Sequence, residues 1–271
     1  MFTVSSPSTT PPRLHFVTNS PVEGLAVAER RVAAPLASVI CVHGALDRGG
    51  SFVRLVRRLA RFDVVVYDRR GYQGSRDLVP VNLAAHIEDL SALITSEAER
   101  GPVILFGHSY GGLVTLGAAI ALPSRVDMVV DYESPLPWVL RREHFHALQG
   151  DDPVVEAERF FRRIMGDRAW DRLSEDQRDS RRRDGTALLN DLSTVRQREA
   201  PVDLRALRVP TTYAYGDQAE YYRALAIELV KVNPIIEPHE FKQAGHAAHL
   251  KNAEQLAALI EDRWAATCAS G

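Results

Sequence analysis

The stretch "LFGHSYGGL", Leu105 to Leu113, sets three glycines, a serine and a histidine between apolar residues. So flexible a segment in apolar surroundings needs a reason, and its flanks supply one. "PVILF" before it is a short continuous apolar run of the kind that forms a strand buried on both faces. "YGGLVTLGAAIAL" after it reads as a helix. Gly107 to Gly111 therefore fit G-x-S-x-G at a strand-to-helix turn, the context that gives this pattern meaning. Lifting Ser109 Oγ out of the sheet requires strained backbone and small neighbours, which Gly107, Gly111 and Gly112 provide. The helix N-terminus at the same place directs unpaired N–H groups and partial positive charge toward any anion that forms there. On five residues alone, a serine that merely caps the helix is the plainer alternative.

Working outward, "RLHFVT" and "LAVAERRVA" read as two strands of a hairpin-like start, and "ASVICVHG" as a doubly buried strand ended by Gly44. "SFVRLVRRLARF" is a helix expected to bury Phe52, Val53, Val56, Leu59 and Ala60 on one face. "DVVVYDRRGYQGS" is another strand and turn, Asn82 is a plausible N-cap for the helix after it, and "RVDMVVDYE" is a further strand. From about Ser134 to Leu207 the rhythm breaks into arginine-rich helical text such as "EAERFFRRIMGDRAWDRL". It then resumes with "VPTTYAYG", the helix "EYYRALAIELVKV", a strand near "IIEPHEFKQAG" and the closing helix "NAEQLAALIEDRW". Strands alternating with helices, and too apolar to be half exposed, predict an α/β fold whose mostly parallel sheet is covered by helices on both faces. The expected organisation is a tail over residues 1–12, a core over 13–137 and 206–271, and a helical cap over 138–205.

The bulk properties agree. The chain has 271 residues, 45% hydrophobic and 25% charged, with a formal net charge of -2. That is the profile of a soluble globular protein able to bury roughly three quarters of its unfolded surface without a disulfide or metal staple. Cys41 falls in an apolar strand and Cys268 in the tail, so the cysteines form no framework. Near-neutral charge argues against nucleic acid as the main partner. With neither a charged-then-apolar leader nor an apolar run near 18 residues, the expectation is a cytoplasmic protein that spans no membrane. Oligomeric state stays open.

Two further motifs stand where the chemistry of Ser109 would need them: "VHGALDRGG" after an earlier strand and "QAGHAAHL" after the last. With the elbow, this constellation resembles the α/β-hydrolase superfamily over nearly all of the chain after the tail. The resemblance implies an α/β-hydrolase fold with Ser109 as nucleophile and His246 as general base then acid. It assigns the oxyanion-hole N–H groups to Ala45 and Tyr110. An imidazole suits the base because its ordinary pKa of about 6.5 lies close to working pH. His249 is the local competitor, but the Gly245–His246 pair fits the family pattern. His43 is expected to pack behind its loop, His108 is the variable position of the elbow, and "YDRRGYQGS" is read as a structural turn.

The chain departs from the family at the acid. A serine–histidine pair needs a carboxylate to fix the imidazole tautomer and stabilise its cation. The usual slot, three residues beyond Gly216, holds Ala219. Some family members take the acid from the end of the preceding strand, which here is Glu133. Glu133 is favoured, Asp217 comes second, and Glu220 and Asp131 follow. Asp131 would share Glu133's face if the strand stayed regular.

The implied activity is hydrolysis of a small-molecule carboxylic ester through an acyl-enzyme, with no metal or organic cofactor. The same machinery serves thioesters, lactones, C–C bond cleavage and acyl transfer, and a missing acid would also fit a homologue that binds without turnover. The serine argues against dehalogenase or epoxide-hydrolase chemistry, for which the resemblance would call for an aspartate. Trp138 and Phe161, with Phe160 and Trp170, are expected either to line the substrate pocket or to fill the cap's own core. The arginines at 162, 163 and 181–183 would suit an anionic substrate, although a charged run on a helix reads first as a solvated face.

Overall fold

The computed structural model describes residues 13–141 and 151–270, so the expected tail over residues 1–12 lies outside it. Eight strands build one sheet: β1 (His15–Phe16), β2 (Val27–Arg30), β3 (Ser38–Val42), β4 (Asp63–Tyr67), β5 (Val103–His108), β6 (Met128–Tyr132), β7 (Thr211–Gly216) and β8 (Ile236–Phe241). Their order is β1-β2-β4-β3-β5-β6-β7-β8, antiparallel at the β1 and β2 edge and parallel everywhere else.

Alternation within the strands explains why both faces are covered. Ile40 and Val42 of β3, like Val103 and Leu105 of β5, join one core with Leu90, Leu113 and Leu225. Val39, Cys41, Ile104 and Phe106 point the other way, to Phe52, Leu256 and Ile260. Helices α2 (Leu83–Ala98), α3 (Tyr110–Ala121) and α8 (Glu220–Val232) therefore cover the first face, and α1 (Val53–Arg58) and α10 (Ala253–Ser270) the second. Strand β3 lies between β4 and β5, so the chain leaves it in one direction and later returns on its other side. Such a switch point opens a crevice at the carboxyl ends of β3 and β5.

The first helix corrects the expected face. Phe52, Leu55, Val56 and Leu59 are buried, whereas Val53 is 38% exposed and Ala60 is exposed. A 3₁₀ turn over Gly49–Phe52 precedes α1 and sets the i, i+3, i+4, i+7 stripe on Phe52, so Leu55 takes the place expected of Val53. The end of this segment is held by Arg30, which donates to the carbonyls of Val56 (2.7 Å) and Phe62 (2.6 Å) and also to that of Leu59.

Among the described residues between β6 and β7 there are four helices: α4 (Pro153–Met165), α5 (Asp167–Asp171), α6 (Glu175–Arg183) and α7 (Gly185–Thr194). Asp152 caps α4 with Pro153 in its first turn, and Ser174 with Gln177 forms a capping box on α6. Ala157, Phe161, Trp170, Leu188 and Leu192 make a small core of their own, which Leu46 from the loop after β3 joins. Two of the arginines behave as a solvated face: Arg162 pairs with Glu158, Asp167 and Asp171, and Arg182 with Glu158, Glu175 and Asp179. Among the described residues, no helix is long and apolar enough to cross a membrane.

Candidate active site

Ser109 joins β5 to α3 with φ 54° and ψ −127°, backbone that a side-chain-bearing residue adopts only under strain, on the order of 1–3 kcal/mol. The turn is that sharp because the chain has nowhere else to go. A Cβ on Gly107 would meet Gly112 Cα at 2.5 Å and Thr115 Oγ1 at 2.6 Å, and one on Gly111 would run into the carbonyl oxygens of Val42 and His43. The Ser109 N–H donates to Tyr132 O (2.8 Å), which carries the β5–β6 pairing up to the serine itself. The loop after β3 passes directly beside it, since a Cβ on Gly44 would lie 2.9 Å from Ser109 Cβ. Ala45 and Tyr110 both face the cavity that Ser109 lines. Tyr110 opens α3, so its N–H has no acceptor within the helix.

His246 lies between β8 and the short α9 (Ala248–Lys251). Its Nδ1 is 2.7 Å from Oε2 of Glu133, which is wholly buried just past the end of β6. The other oxygen of Glu133 accepts the Gly216 N–H (2.9 Å), and its own N–H donates to Ala214 O (3.0 Å). The ring is fixed from further sides: Tyr222 stacks on it at 5.7 Å with a 7° interplanar angle, and Tyr132 Oη donates to Gly245 O (2.9 Å). A carboxylate on Nδ1 holds the proton there and leaves Nε2 available to the cavity. Among the described residues no hydrogen bond links Ser109 Oγ to this ring, a contact that is often long in free enzymes and tightens in the substrate complex.

The other carboxylates are placed differently. Asp217 accepts the N–H groups of Gln243 (3.0 Å) and Ala244 (3.3 Å), the first of which holds its carboxyl below the usual range, and it does not pair with His246. Glu220 begins α8 and is exposed. Asp131 is buried and accepts the Ser134 hydroxyl (2.5 Å); burial pushes its carboxyl up to about 7. The strand alternation that would give Asp131 and Glu133 one face fails, because β6 ends at Tyr132 and Glu133 turns to φ 52°.

His43 accepts the Arg69 N–H on Nε2 (2.9 Å), so its Nδ1 carries the proton and donates to Gly44 O (2.8 Å). Burial, with Arg69 adding to it, lowers this imidazole to about 3, which leaves it neutral. His108 donates from Nε2 to His246 O (2.8 Å), and burial holds its ring well below the ordinary value.

Beneath the loop after β3 lies a buried network built on the turn "YDRRGYQGS". The Arg69 guanidinium donates to His43 O (2.9 Å) and Gly44 O (3.1 Å), and it is paired with Asp191 of α7 at 2.6 Å. Tyr72 donates to the same carboxylate (2.5 Å), and His86 lies 3.0 Å from Arg69 Nη1. Burial opposes the charge on Asp191, but Arg69 outweighs it and holds the carboxyl down at about 2. In the sequence this network is marked by Arg69 and Tyr72 of "YDRRGYQGS", whose shared partner Asp191 lies far along the chain.

Ser109 and His246 sit where two cavity lobes meet. A lobe of about 110 Å³ is walled by Phe160, Phe161, Ile164 and Met165, with Arg181 beside them. A lobe of about 380 Å³ is bounded by Glu133, Arg163, Val195, Gln218 and Tyr222. Phe161 thus lines the smaller lobe. Trp138 lines neither lobe; it packs on the core over α2 and α3, because the chain folds back onto that core directly after Leu136. Among the described residues, Asp47, His108 and His249 could hold a metal ion, with ligand atoms within 4.8 Å of one another. Asp47 already lies 3.3 Å from His249 Nε2 and accepts the Ser51 hydroxyl (3.0 Å).

The chain is similar to known proteins in sequence and in fold. The profile described as the alpha/beta hydrolase family matches residues 39–259. Lipase LipV of Mycobacterium tuberculosis (strain ATCC 25618 / H37Rv) is 32% identical over 94 residues, which cover 35% of this chain and 36% of the lipase. The uncharacterized hydrolase YraK of Bacillus subtilis (strain 168) is 25% identical over 236 residues, 83% of this chain and 79% of that protein. A lipase-esterase related protein from Clostridium acetobutylicum ATCC 824 shares the fold, with a TM-score of 0.69 at 16% identity over 88% of this chain and 99% of that one.

Proposed function

Since the chain belongs to the alpha/beta hydrolase family, we propose that it is a serine hydrolase that cleaves carboxylic esters of small molecules through an acyl-enzyme. The observation that carries this reading is His246, held 2.7 Å from buried Glu133 at the cavity into which the strained Ser109 turns. The lipase name of the Mycobacterium tuberculosis relative favours an ester over the other bonds this machinery can break.

As Ser109 Oγ attacks the ester carbonyl carbon, His246 Nε2 takes its proton. Glu133 keeps the ring oriented and stabilises the imidazolium that results. The N–H groups of Ala45 and Tyr110 bind the tetrahedral oxyanion, each contributing about 2.7–4 kcal/mol to the transition state. Collapse breaks the bond to the alcohol, which leaves with the proton returned by His246. Water, deprotonated by the same ring, then attacks the acyl carbon; release of the acid restores Ser109. Helices α4–α7 act as a cap that supplies the apolar wall of the smaller lobe, and Phe161 takes part in acyl-chain selection. No step calls for a metal or organic cofactor.

The test is hydrolysis of p-nitrophenyl esters of graded acyl length. Ser109→Ala and His246→Ala should each abolish turnover in folded protein, and the double variant should be little worse than either single one, because residues acting as a unit are non-additive. Near-wild-type turnover in Ser109→Ala would remove the nucleophile from the reading.

A further inference from the structure

Arg181 stands apart from the other half-buried arginines of α4 and α6. Arg162, Arg178 and Arg182 each reach a carboxylate, and Arg76 from the core takes Asp184. Among the described residues no carboxylate comes within ion-pair distance of Arg181, and Asp47 and Asp184 act on it only at longer range. Its Nη1 donates to the Leu46 carbonyl (2.5 Å), its Nε is buried without a hydrogen-bond partner, and its guanidinium lies 5.2 Å from the centre of the Phe161 ring. Burial, with Arg48 nearby, lowers it to about 10. A guanidinium left in this state is costly unless an anion completes it.

The place of this cation makes it more than a stray charge. Arg181 lines the lobe of about 110 Å³ that also holds Ser109, Gly44, Ala45 and His246, and the rest of that wall is mainly apolar. Through Leu46 it is tied to the loop that carries Ala45. Asp47 faces the same lobe but is engaged by Ser51 and by His249 on its own side.

We propose that the smaller lobe receives an ionised carboxylate of the substrate, with Arg181 as the residue that reads it. The preferred esters are then half-esters of short dicarboxylic acids, in which a carboxylate lies a few atoms from the bond that is cut. Hydrolysis converts such a monoanion and water into a dicarboxylate, an alcohol and a proton. The inference rests on Ser109 as nucleophile, and it deepens that reading by naming the substrate class.

Monoethyl succinate and ethyl pentanoate are matched in length and differ in the terminal charge. The first measurement is calorimetric binding of monoethyl succinate to Ser109→Ala, which needs no turnover. Binding is expected there, at least tenfold weaker in Ser109→Ala combined with Arg181→Met, and unchanged in Ser109→Ala combined with Arg182→Met. Thermal melts confirm that each variant is folded. Arg181→Lys, which keeps a positive charge, covers the case in which the methionine variant does not fold, and it should retain part of the affinity. No binding, or equal binding with and without Arg181, overturns the proposal. The second measurement is the ratio of kcat/KM for the two esters, expected to favour the charged one at least tenfold and to collapse in Arg181→Met. Turnover of ethyl pentanoate with no preference for the half-ester sinks the substrate class and leaves the serine mechanism standing. Turnover of either ester that survives Ser109→Ala sinks the mechanism itself.

Discussion

Replacing Asp191 by Asn should damage stability and catalysis together, by different routes. Arg69 and Asp191 are 0% and 1% exposed, so no solvent can take over the pairing. The substitution removes the charge that faces Arg69 Nη2 at 2.6 Å and accepts the Tyr72 hydroxyl at 2.5 Å. Breaking a buried pair from one side costs about 3–5 kcal/mol, and Asn, which keeps the volume and one acceptor, belongs at the lower end. Three kcal/mol is a large part of a typical total of about 5–15 kcal/mol. At about 2–4 °C per kcal/mol for a chain near this size, Tm should fall by roughly 6–12 °C. The catalytic route runs through the carbonyls of His43 and Gly44, which Arg69 grips just before Ala45. If that grip loosens, the Ala45 N–H leaves its place; losing one oxyanion donor lowers kcat by about 10²–10³ with KM little changed. A pH series adds a third readout. Arg69 holds the Asp191 carboxyl at about 2 against an ordinary 3.8, so its stabilisation is complete above about pH 4 and is lost as pH falls toward 2. The gap between wild type and Asp191→Asn should therefore narrow over that window. Guanidinium unfolding and steady-state kinetics suffice for the test. Unchanged stability would refute the energetic argument, and lost stability with intact kcat would show that the network does not position the loop.

Other substitutions probe the site separately. Ser109→Gly should relieve the φ 54° strain and raise Tm by a few degrees, about 1 kcal/mol, while Ser109→Ala, which keeps a Cβ, should not; equal melting temperatures would argue against stored strain. Phe161→Ala should reorder acyl-chain preference among p-nitrophenyl esters. Trp138→Ala should leave that order intact and cost about 2–3 kcal/mol of stability from lost packing; the reverse outcome would put Trp138 in the pocket instead.

Much of this arrangement is legible in the sequence where its cause is local. The elbow declares itself because Gly107 is crowded by Gly112 and Thr115, residues of the same short stretch. The strands can be read because both faces of the sheet are apolar, which leaves runs such as "SVICV" with no polar alternation. Glu133 is favoured among four carboxylates because the family resemblance allows an acid at the end of this strand and counting along β6 locates that end, but its separation from Asp131 cannot be read, since that depends on Glu133 turning to φ 52° past the strand end. The buried face of the first helix carries Leu55 in place of Val53 and leaves Ala60 exposed, because the 3₁₀ turn ahead of it is not marked by any residue preference. Arg69 and Asp191 are 122 positions apart, and their pairing exists only once α7 has docked on the turn after β4. The direction of Trp138 is likewise decided by tertiary contact, because an apolar side chain fits a core and a pocket equally well.

The central claim is that Ser109, His246 and Glu133 act as one unit, and fluorophosphonate labelling read by mass spectrometry tests it without knowledge of the natural substrate. The account predicts stoichiometric modification of Ser109 in the wild type, none in His246→Ala, and labelling in Glu133→Gln slowed by as much as about 10⁴ where the wrong imidazole tautomer is enforced. Asp217→Asn should label at close to the wild-type rate, because that carboxylate holds the Gln243 and Ala244 N–H groups and makes no contact with the ring. No adduct on Ser109 in folded protein, or full-rate labelling in Glu133→Gln beside a crippled Asp217→Asn, would contradict it.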